Sequence, residues 1–306
     1  MFIITSWGAT RFCRSLHSAN PLLNQMEIVE LKNLATQVRR DILRMVHAVQ
    51  SGHPGGSLGC TEFFVALYGK IMHYHKGSFN MEAKGEDVFY LSNGHISPVW
   101  YSTLARIAEY FPVSELATFR KLNSRLQGHP ATHEKLPGIR VASGSLGQGL
   151  SVAVGHALAK RLDADQGIVF SLHGDGELQE GQIWEAAMFA AANKVDNIIS
   201  TVDVNGQQID GSTDKVLPMG DLRAKFESFG WKVLHMDGGK MEDVIRGLNE
   251  AKSGIGKGVP QVILMKTEMG NGVDFMMGTH KWHGVAPNDE QLEKALSQLP
   301  QTIGDY

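Results

Sequence analysis

Two oxygen-bearing side chains sit just beyond two apolar runs of this 306-residue chain. Asp175 follows Ile168–Leu172, inside Gly174-Asp175-Gly176, and Asn205 closes the run that begins at Asn197. Mg²⁺ takes near-octahedral oxygen coordination and usually divides its shell among one or two protein oxygens, waters and the phosphates of a ligand. Asp175, Asn205 and the main-chain carbonyl of Gln207 make such a set, and Ca²⁺ or Mn²⁺ suits the same oxygen donors. The glycines beside Asp175 let the backbone approach phosphate closely. A lone Gly-Asp-Gly is more often a simple turn after a strand, so the surroundings have to decide.

Those surroundings alternate. Helical spacing of Leu31, Leu34, Val38, Ile42, Met45, Val46 and Val49 predicts an amphipathic helix from Glu27 to Gln50, which stops at Ser51-Gly52-His53-Pro54-Gly55-Gly56. Thr61 caps a second helix reaching about Met72. Val88–Leu91 reads as a short buried strand entering Ser92-Asn93-Gly94-His95, followed by a helix over about 98–110. The polar stretch from Asn123 to Arg140 is long for a plain connection, and loops of that length are often functional. After Gly144–Gly149 come an Ala-rich helix to Leu162, the strand 168–172, a helix over 182–192 and the strand 197–204. Strands at 232–235 and 261–265 bracket a helix over 241–251, and a last helix covers about 289–299. This rhythm predicts an α/β fold, a mostly parallel sheet with helices on both faces. Ligands of such sheets bind beyond the carboxyl ends of the strands, where both Asp175 and Asn205 fall.

Composition narrows the partners. The chain is 42% hydrophobic and 20% charged with a formal net charge of -3, too weak a field to single out nucleic acid or a membrane surface. No apolar run approaches the roughly 20 residues that cross a bilayer. The two cysteines, Cys13 and Cys60, form neither a disulfide framework nor a zinc pattern, which fits a reducing cytoplasm. Residues 1–25 lack Asp and Glu and show no helical stripe, so they read as a disordered or extraneous leader, or a transit peptide. Residues 26–306 are expected to form one domain. Gly254–Gly258 precedes a strand, unlike a nucleotide loop, and neither a P-loop, a GxSxG elbow nor an HExxH site occurs.

The run Gly174-Asp175-Gly176-Glu177-Leu178-Gln179-Glu180-Gly181, followed by Asp203-Val204-Asn205, resembles the thiamine diphosphate signature of transketolases. Ser51–Gly55, Leu91–His95, Gly128-His129-Pro130, Gly144–Gly149 and Trp282-His283-Gly284 resemble the same family in the same order. The resemblance spans about Glu27 to Gln291 and implies the diphosphate-binding (PP) domain of that family. It assigns Asp175, Asn205 and the Gln207 carbonyl to Mg²⁺. It assigns His95, His283, Gly176, Glu177 and Asn205 to the thiamine diphosphate, with Gly144, Ser145, Leu146 and Gly147 lying along the cofactor and Leu146 as the apolar contact. Ser145 stands where many transketolases have proline. His53, His129 and His283 would face the sugar, because ketol transfer moves protons near neutral pH, where imidazole is best tuned. Any one of these histidines alone would more often be structural; four in matching glycine-rich loops would not. Glu180 resembles a carboxylate of a network between paired active sites, or else is a solvated helix start. The remaining histidines, including His73, His75 and His173, read as surface or packing residues.

A complete transketolase resembles this sequence only over its first half. The resemblance therefore implies an N-terminal subunit that needs a C-terminal partner, carrying the pyrimidine-binding and C-terminal domains, in a heterotetramer acting on sugars. Two other readings compete: the α-type half of a 2-oxo acid dehydrogenase, against which the histidine set argues, and a non-catalytic module of the same fold.

Overall fold

The structure is a computed structural model, which describes residues 26–306. The expected leader, 1–25, lies outside the described residues.

The chain opens with helix α1 (Ile28–Ala48), where Glu27 and Glu30 close a reciprocal capping box. Two short helices follow, α2 (Pro54–Gly59) and α3 (Thr61–Ala66), and α3 continues into a π-helical turn, Leu67–Ile71. The glycine-rich segment after Gln50 reads as a stop, yet it forms α2. Pro54 at its first turn presets the helical φ, and complete burial of Pro54–Gly59 outweighs the poor helix propensity of three glycines. Then come β1 (Val88–Leu91), α4 (Ser97–Arg106), α5 (Gln148–Leu162), β2 (Val169–Gly174), α6 (Gly181–Ala192) and β3 (Ile198–Val204). A small hairpin of β4 (Gln207–Gln208) and β5 (Gly211–Ser212) leads to α7 (Thr213–Val216) and α8 (Leu222–Ser228). The chain closes with β6 (Lys232–Asp237), α9 (Met241–Lys252), β7 (Gln261–Lys266) and α10 (Asp289–Gln298).

Five strands pair in the order β1-β2-β3-β7-β6, all parallel. Alternation along each strand feeds two cores. Phe89, Leu91, Phe170, Leu172, Ile199 and Ile263 face α1, α3, α4 and α9. Val88, Val169, Ile198, Val202 and Val262 face α5, α6 and α8. Helices thus cover both faces, as a parallel sheet requires. No helix among the described residues is long and apolar enough to cross a membrane. The expected helix over 98–110 ends at Arg106, and Glu109 beyond it adopts a φ of +56° that no helix accepts.

The sheet's register fixes the place of the chemistry. Gly174 lies opposite Asp203, so the residues that follow β2 and β3 emerge side by side at one edge. The loop at 144–149 is brought over that edge by a close contact between the start of α5 and the end of β1. A Cβ on Gly149 would sit 2.4 Å from the Ser92 Cβ and 2.8 Å from its Cα. Gly155, on the same helix, has open space around it. Gly149→Ala should therefore lower the stability of the isolated chain by about 1–3 kcal/mol through overpacking. Gly155→Ala should raise it by about 0.5–1 kcal/mol by removing backbone entropy from the unfolded chain. Urea denaturation midpoints of the two variants should move in opposite directions.

Candidate active site

A cavity of about 310 Å³ opens at the carboxyl ends of β2 and β3. The β2 strand delivers Asp175, which caps the short turn after it and is 4% exposed. Its Oδ1 accepts from the Gly176 N–H at 2.8 Å and its Oδ2 from the Gly206 N–H at 2.6 Å, which binds the two loops to each other. Asn205 follows β3; its Nδ2 donates to Asp203 Oδ2 at 2.9 Å and its Oδ1 accepts from the Gln207 N–H at 2.8 Å.

The electrostatics of this corner are unbalanced. Asp175 and Asp203 are both buried on neighbouring strands, and among the described residues neither forms an ion pair. Burial, reinforced by the neighbouring Asp203, pushes the Asp175 carboxyl up to about 7. Buried charges persist only when paired or when they coordinate a cation. The residues present therefore fit a divalent ion: oxygen donors only, with a carboxylate whose ionised form lacks a counter-charge. Among the described residues no group of three His, Cys, Asp or Glu side chains could hold a metal alone. A ligand phosphate, an amide and a main-chain carbonyl would complete such a shell.

Four histidines from four distant loops meet in the same cavity. The His53 ring centroid lies 5.0 Å from that of His95, 5.5 Å from His283 and 6.1 Å from His129. His95 and His283 are 5.0 Å apart. His53 precedes α2, His95 follows β1, His129 lies in the long loop between α4 and α5, and His283 follows the turn His280–Trp282. Gly144 permits the approach, since a Cβ there would meet the His129 ring at 2.5 Å. Burial holds all four imidazoles below their ordinary range, with His53 at about 4. His283, Arg120 and His129 add to the shift of His53. The Nδ1 atoms of His53 and His283 are buried without a hydrogen-bond partner, as is Asn93 Oδ1. Buried polar atoms are rarely left unpaired. All three residues line the one cavity.

Most of the residues expected from sequence line this cavity: His53, His95, His129, Gly144, Leu146, Asp175, Gly176, Glu177, Glu180, Asn205, Gln207 and His283. Two do not. Ser145 is exposed outside the lining, and Gly147 lies buried behind it, its N–H donating to Glu177 Oε1 at 2.8 Å. Of this loop, only Gly144 and Leu146 line the cavity. Glu177 is also more engaged than its motif position suggests. Ser92, Gly147 and Gly174 all donate to its carboxylate, which holds three loops together from beneath the cavity. Glu180 is exposed at the first turn of α6 and makes no side-chain cap. His173 is a packing residue, bonded to Ser171 at 2.9 Å. The sequence reading missed Ile209 and Met269 in the lining. Ile209 sits in the hairpin right after Asn205, and its exposure of 62% is unusual for isoleucine. A wider depression of about 480 Å³ lies at the other end of the strands, but Asp87 and Asp165 there are engaged by main-chain amides and Lys160.

Comparison with known proteins agrees with this geometry. Residues 31–301 match the family model described as "Transketolase, thiamine diphosphate binding domain". The chain belongs to the transketolase family. It is 37% identical to one of the subunits of the apulose-4-phosphate transketolase of Phocaeicola vulgatus, over 91% of this chain and 96% of that one. It is 36% identical to a 6-deoxy-6-sulfo-D-fructose transketolase subunit from a Clostridium species, over 89% and 96%. The transketolase crystal structure from Campylobacter jejuni superposes with a TM-score of 0.82 at 32% identity, covering 90% of this chain but 43% of its own. Human transketolase likewise matches over 44% of its length. The chain thus spans less than half of the complete transketolases and nearly all of the transketolase subunits.

The histidine cluster makes stability depend on pH with a definite sign. The unfolded imidazoles protonate near 6.5, and the folded ones at lower pH, His53 near 4. Between those values the unfolded chain binds more protons than the folded cluster, so the cluster's contribution to stability is full above about pH 6.5 and is lost as pH falls toward 4. Asp175, raised to about 7, contributes with the opposite sign over the same window, so the test is a difference: between pH 7 and pH 5 the urea midpoint of His53→Gln should shift upward relative to that of the parent chain.

Proposed function

We propose that this chain is the diphosphate-binding subunit of a two-subunit transketolase, which transfers a two-carbon ketol unit from a ketose to an aldose. The observation that carries the reading is the meeting of His53, His95, His129 and His283 beside the uncompensated Asp175 carboxylate, in one cavity at the strand ends. Residues 26–306 act as a single domain in this role.

When bound, thiamine diphosphate supplies the electron sink that lets a carbon–carbon bond beside a carbonyl break. The chain's own groups do the rest. Asp175, the Asn205 amide oxygen and the Gln207 carbonyl would hold Mg²⁺, whose charge would neutralise the buried carboxylate. His95 and His283 would donate to the diphosphate, and Gly176, which has no side chain and lines the cavity, would let the backbone approach it. Leu146 supports the cofactor through apolar contact. His53, His129 and His283 bind sugar hydroxyls and the carbonyl oxygen, and move protons to and from them. Their burial keeps these imidazoles neutral at pH 7, and a neutral imidazole offers both a donor and an acceptor. The same burial excludes water from the reacting carbon.

A C-terminal partner completes the site. The near-full-length relatives are named as subunits, and Met188 and Phe189 on α6 are 55% and 50% exposed, an apolar face suited to a partner. The assembly we propose is a cytoplasmic heterotetramer. The donor is a ketose with an anionic end, by analogy with the phosphorylated and sulfonated sugars in the relatives' names.

The test combines this chain with its C-terminal partner, thiamine diphosphate, Mg²⁺ and a ketose–aldose pair. Ketol transfer should appear and should vanish with chelator or Asp175→Asn. His283→Ala should lower turnover at saturating cofactor by about 10² or more, read from initial rates. Turnover of 2-oxo acids alone, or no turnover at all, would displace the proposal.

A further inference from the structure

Asp203 lies one residue before the end of β3 and is 2% exposed, yet two side-chain donors converge on its carboxylate. The Thr267 hydroxyl, just beyond β7, donates to Oδ1. The Asn205 amide donates its Nδ2 hydrogen to Oδ2 at 2.9 Å. The Asp203 main-chain carbonyl accepts from the Asp175 N–H at 3.1 Å. One residue therefore touches both residues read above as side-chain metal ligands, through its backbone on one side and its side chain on the other.

The chemistry of these partners is asymmetric. A carboxylate surrounded by donors only accepts, whereas a carboxamide has a donating end and an accepting end. Facing Asp203, Asn205 has to turn its NH₂ inward. Its oxygen then points the other way, where it accepts from the Gln207 N–H at 2.8 Å on the cavity side. A flipped amide would set oxygen against oxygen at Asp203 and NH₂ against N–H at Gln207. The Thr267 hydroxyl holds the carboxylate itself in place from just beyond β7, so the amide's orientation is set from the neighbouring strand as well as from its own.

We propose that Asp203 is a positioning residue that selects the Asn205 amide orientation with its oxygen toward the cation; this rests on the reading of Asn205 as a metal ligand. A buried second carboxylate beside Asp175 is electrostatically unfavourable in the absence of a cation. Its retention here follows from what an uncharged residue could not do. Asparagine at 203 could present its own NH₂ to Asn205 and stabilise the flipped amide, leaving a nitrogen where the metal needs oxygen. Outer partners that orient metal ligands typically contribute 10–100-fold to metal affinity.

The experiment measures free Mn²⁺ by electron paramagnetic resonance during titration of this chain and its partner subunit with saturating thiamine diphosphate. Asp203→Asn should weaken Mn²⁺ binding by about 10–100-fold, and Thr267→Val, which frees the carboxylate on one side, by ~10-fold. The deciding comparison uses Asn205→Asp, whose carboxylate presents oxygen in either orientation. In that background Asp203→Asn should cost no affinity, because there is no amide left to orient. Equal losses in both backgrounds, or no loss in either, would overturn the inference while leaving the metal site intact. Wild-type protein that takes up no Mn²⁺ with thiamine diphosphate would overturn the metal-site reading and this inference with it. Thr267→Val keeps the comparison decisive if Asp203→Asn does not fold, and full Mn²⁺ affinity in that variant would count against the role.

Discussion

A buried carboxylate without a counter-charge is the constraint from which the rest of this structure follows. Asp175 leaves the end of β2 next to Asp203 at the end of β3, and the parallel register that pairs Gly174 with Asp203 leaves no way to separate them. Among the described residues neither has a basic partner, and burial with mutual repulsion raises the Asp175 carboxyl to about 7. Such an arrangement is unstable on its own account and becomes favourable once a divalent cation is shared with a ligand's phosphates. The surrounding turns are consistent with that demand. Two main-chain amides aim the Asp175 oxygens, and the Asn205 amide is pinned at both ends.

The histidine cluster is the second layer, and it depends on tertiary closure rather than on any one element. His53 and His283 come from opposite ends of the chain, yet their rings lie 5.5 Å apart. Burial favours the neutral form of each imidazole in the cluster. Glu177 underlies the arrangement: its carboxylate draws Ser92, Gly147 and Gly174 together, so the β1 loop, the α5 entry and the β2 loop share one anchor. The Asp175 corner, the His95 loop and the loop entering α5 are therefore not independent parts. A change at the anchor would be felt by all three.

Much of this was legible in the sequence because the relevant signals are local. The alternation of apolar strands with amphipathic helices located all five strands of the parallel sheet, and the loops after three of them placed His95, Asp175 and Asn205 near the strand ends. What sequence reading missed is set by long-range packing. The α2 helix forms from a segment rich in glycine because the core buries it completely. The two-residue strands at Gln207–Gln208 and Gly211–Ser212 are too short for periodicity to show, so Ile209 went unnoticed. Ser145 and Gly147 share a motif with Leu146, but a turn points successive residues different ways, and only the fold shows which of them reach the cavity. Asp203 was visible as part of a motif, and its role as an acceptor for Thr267 and Asn205 appears only when β3 and β7 are side by side.

The central claim is that a divalent cation, held by the Asp175–Asn205 corner, bridges this chain to a diphosphate. Isothermal calorimetry of thiamine diphosphate binding to the chain reassembled with its partner subunit, with Mg²⁺ and then with excess chelator, tests it most directly. The account predicts clear heat of binding that chelation abolishes. Binding of equal strength in the presence of chelator, or no binding in either condition, would contradict it.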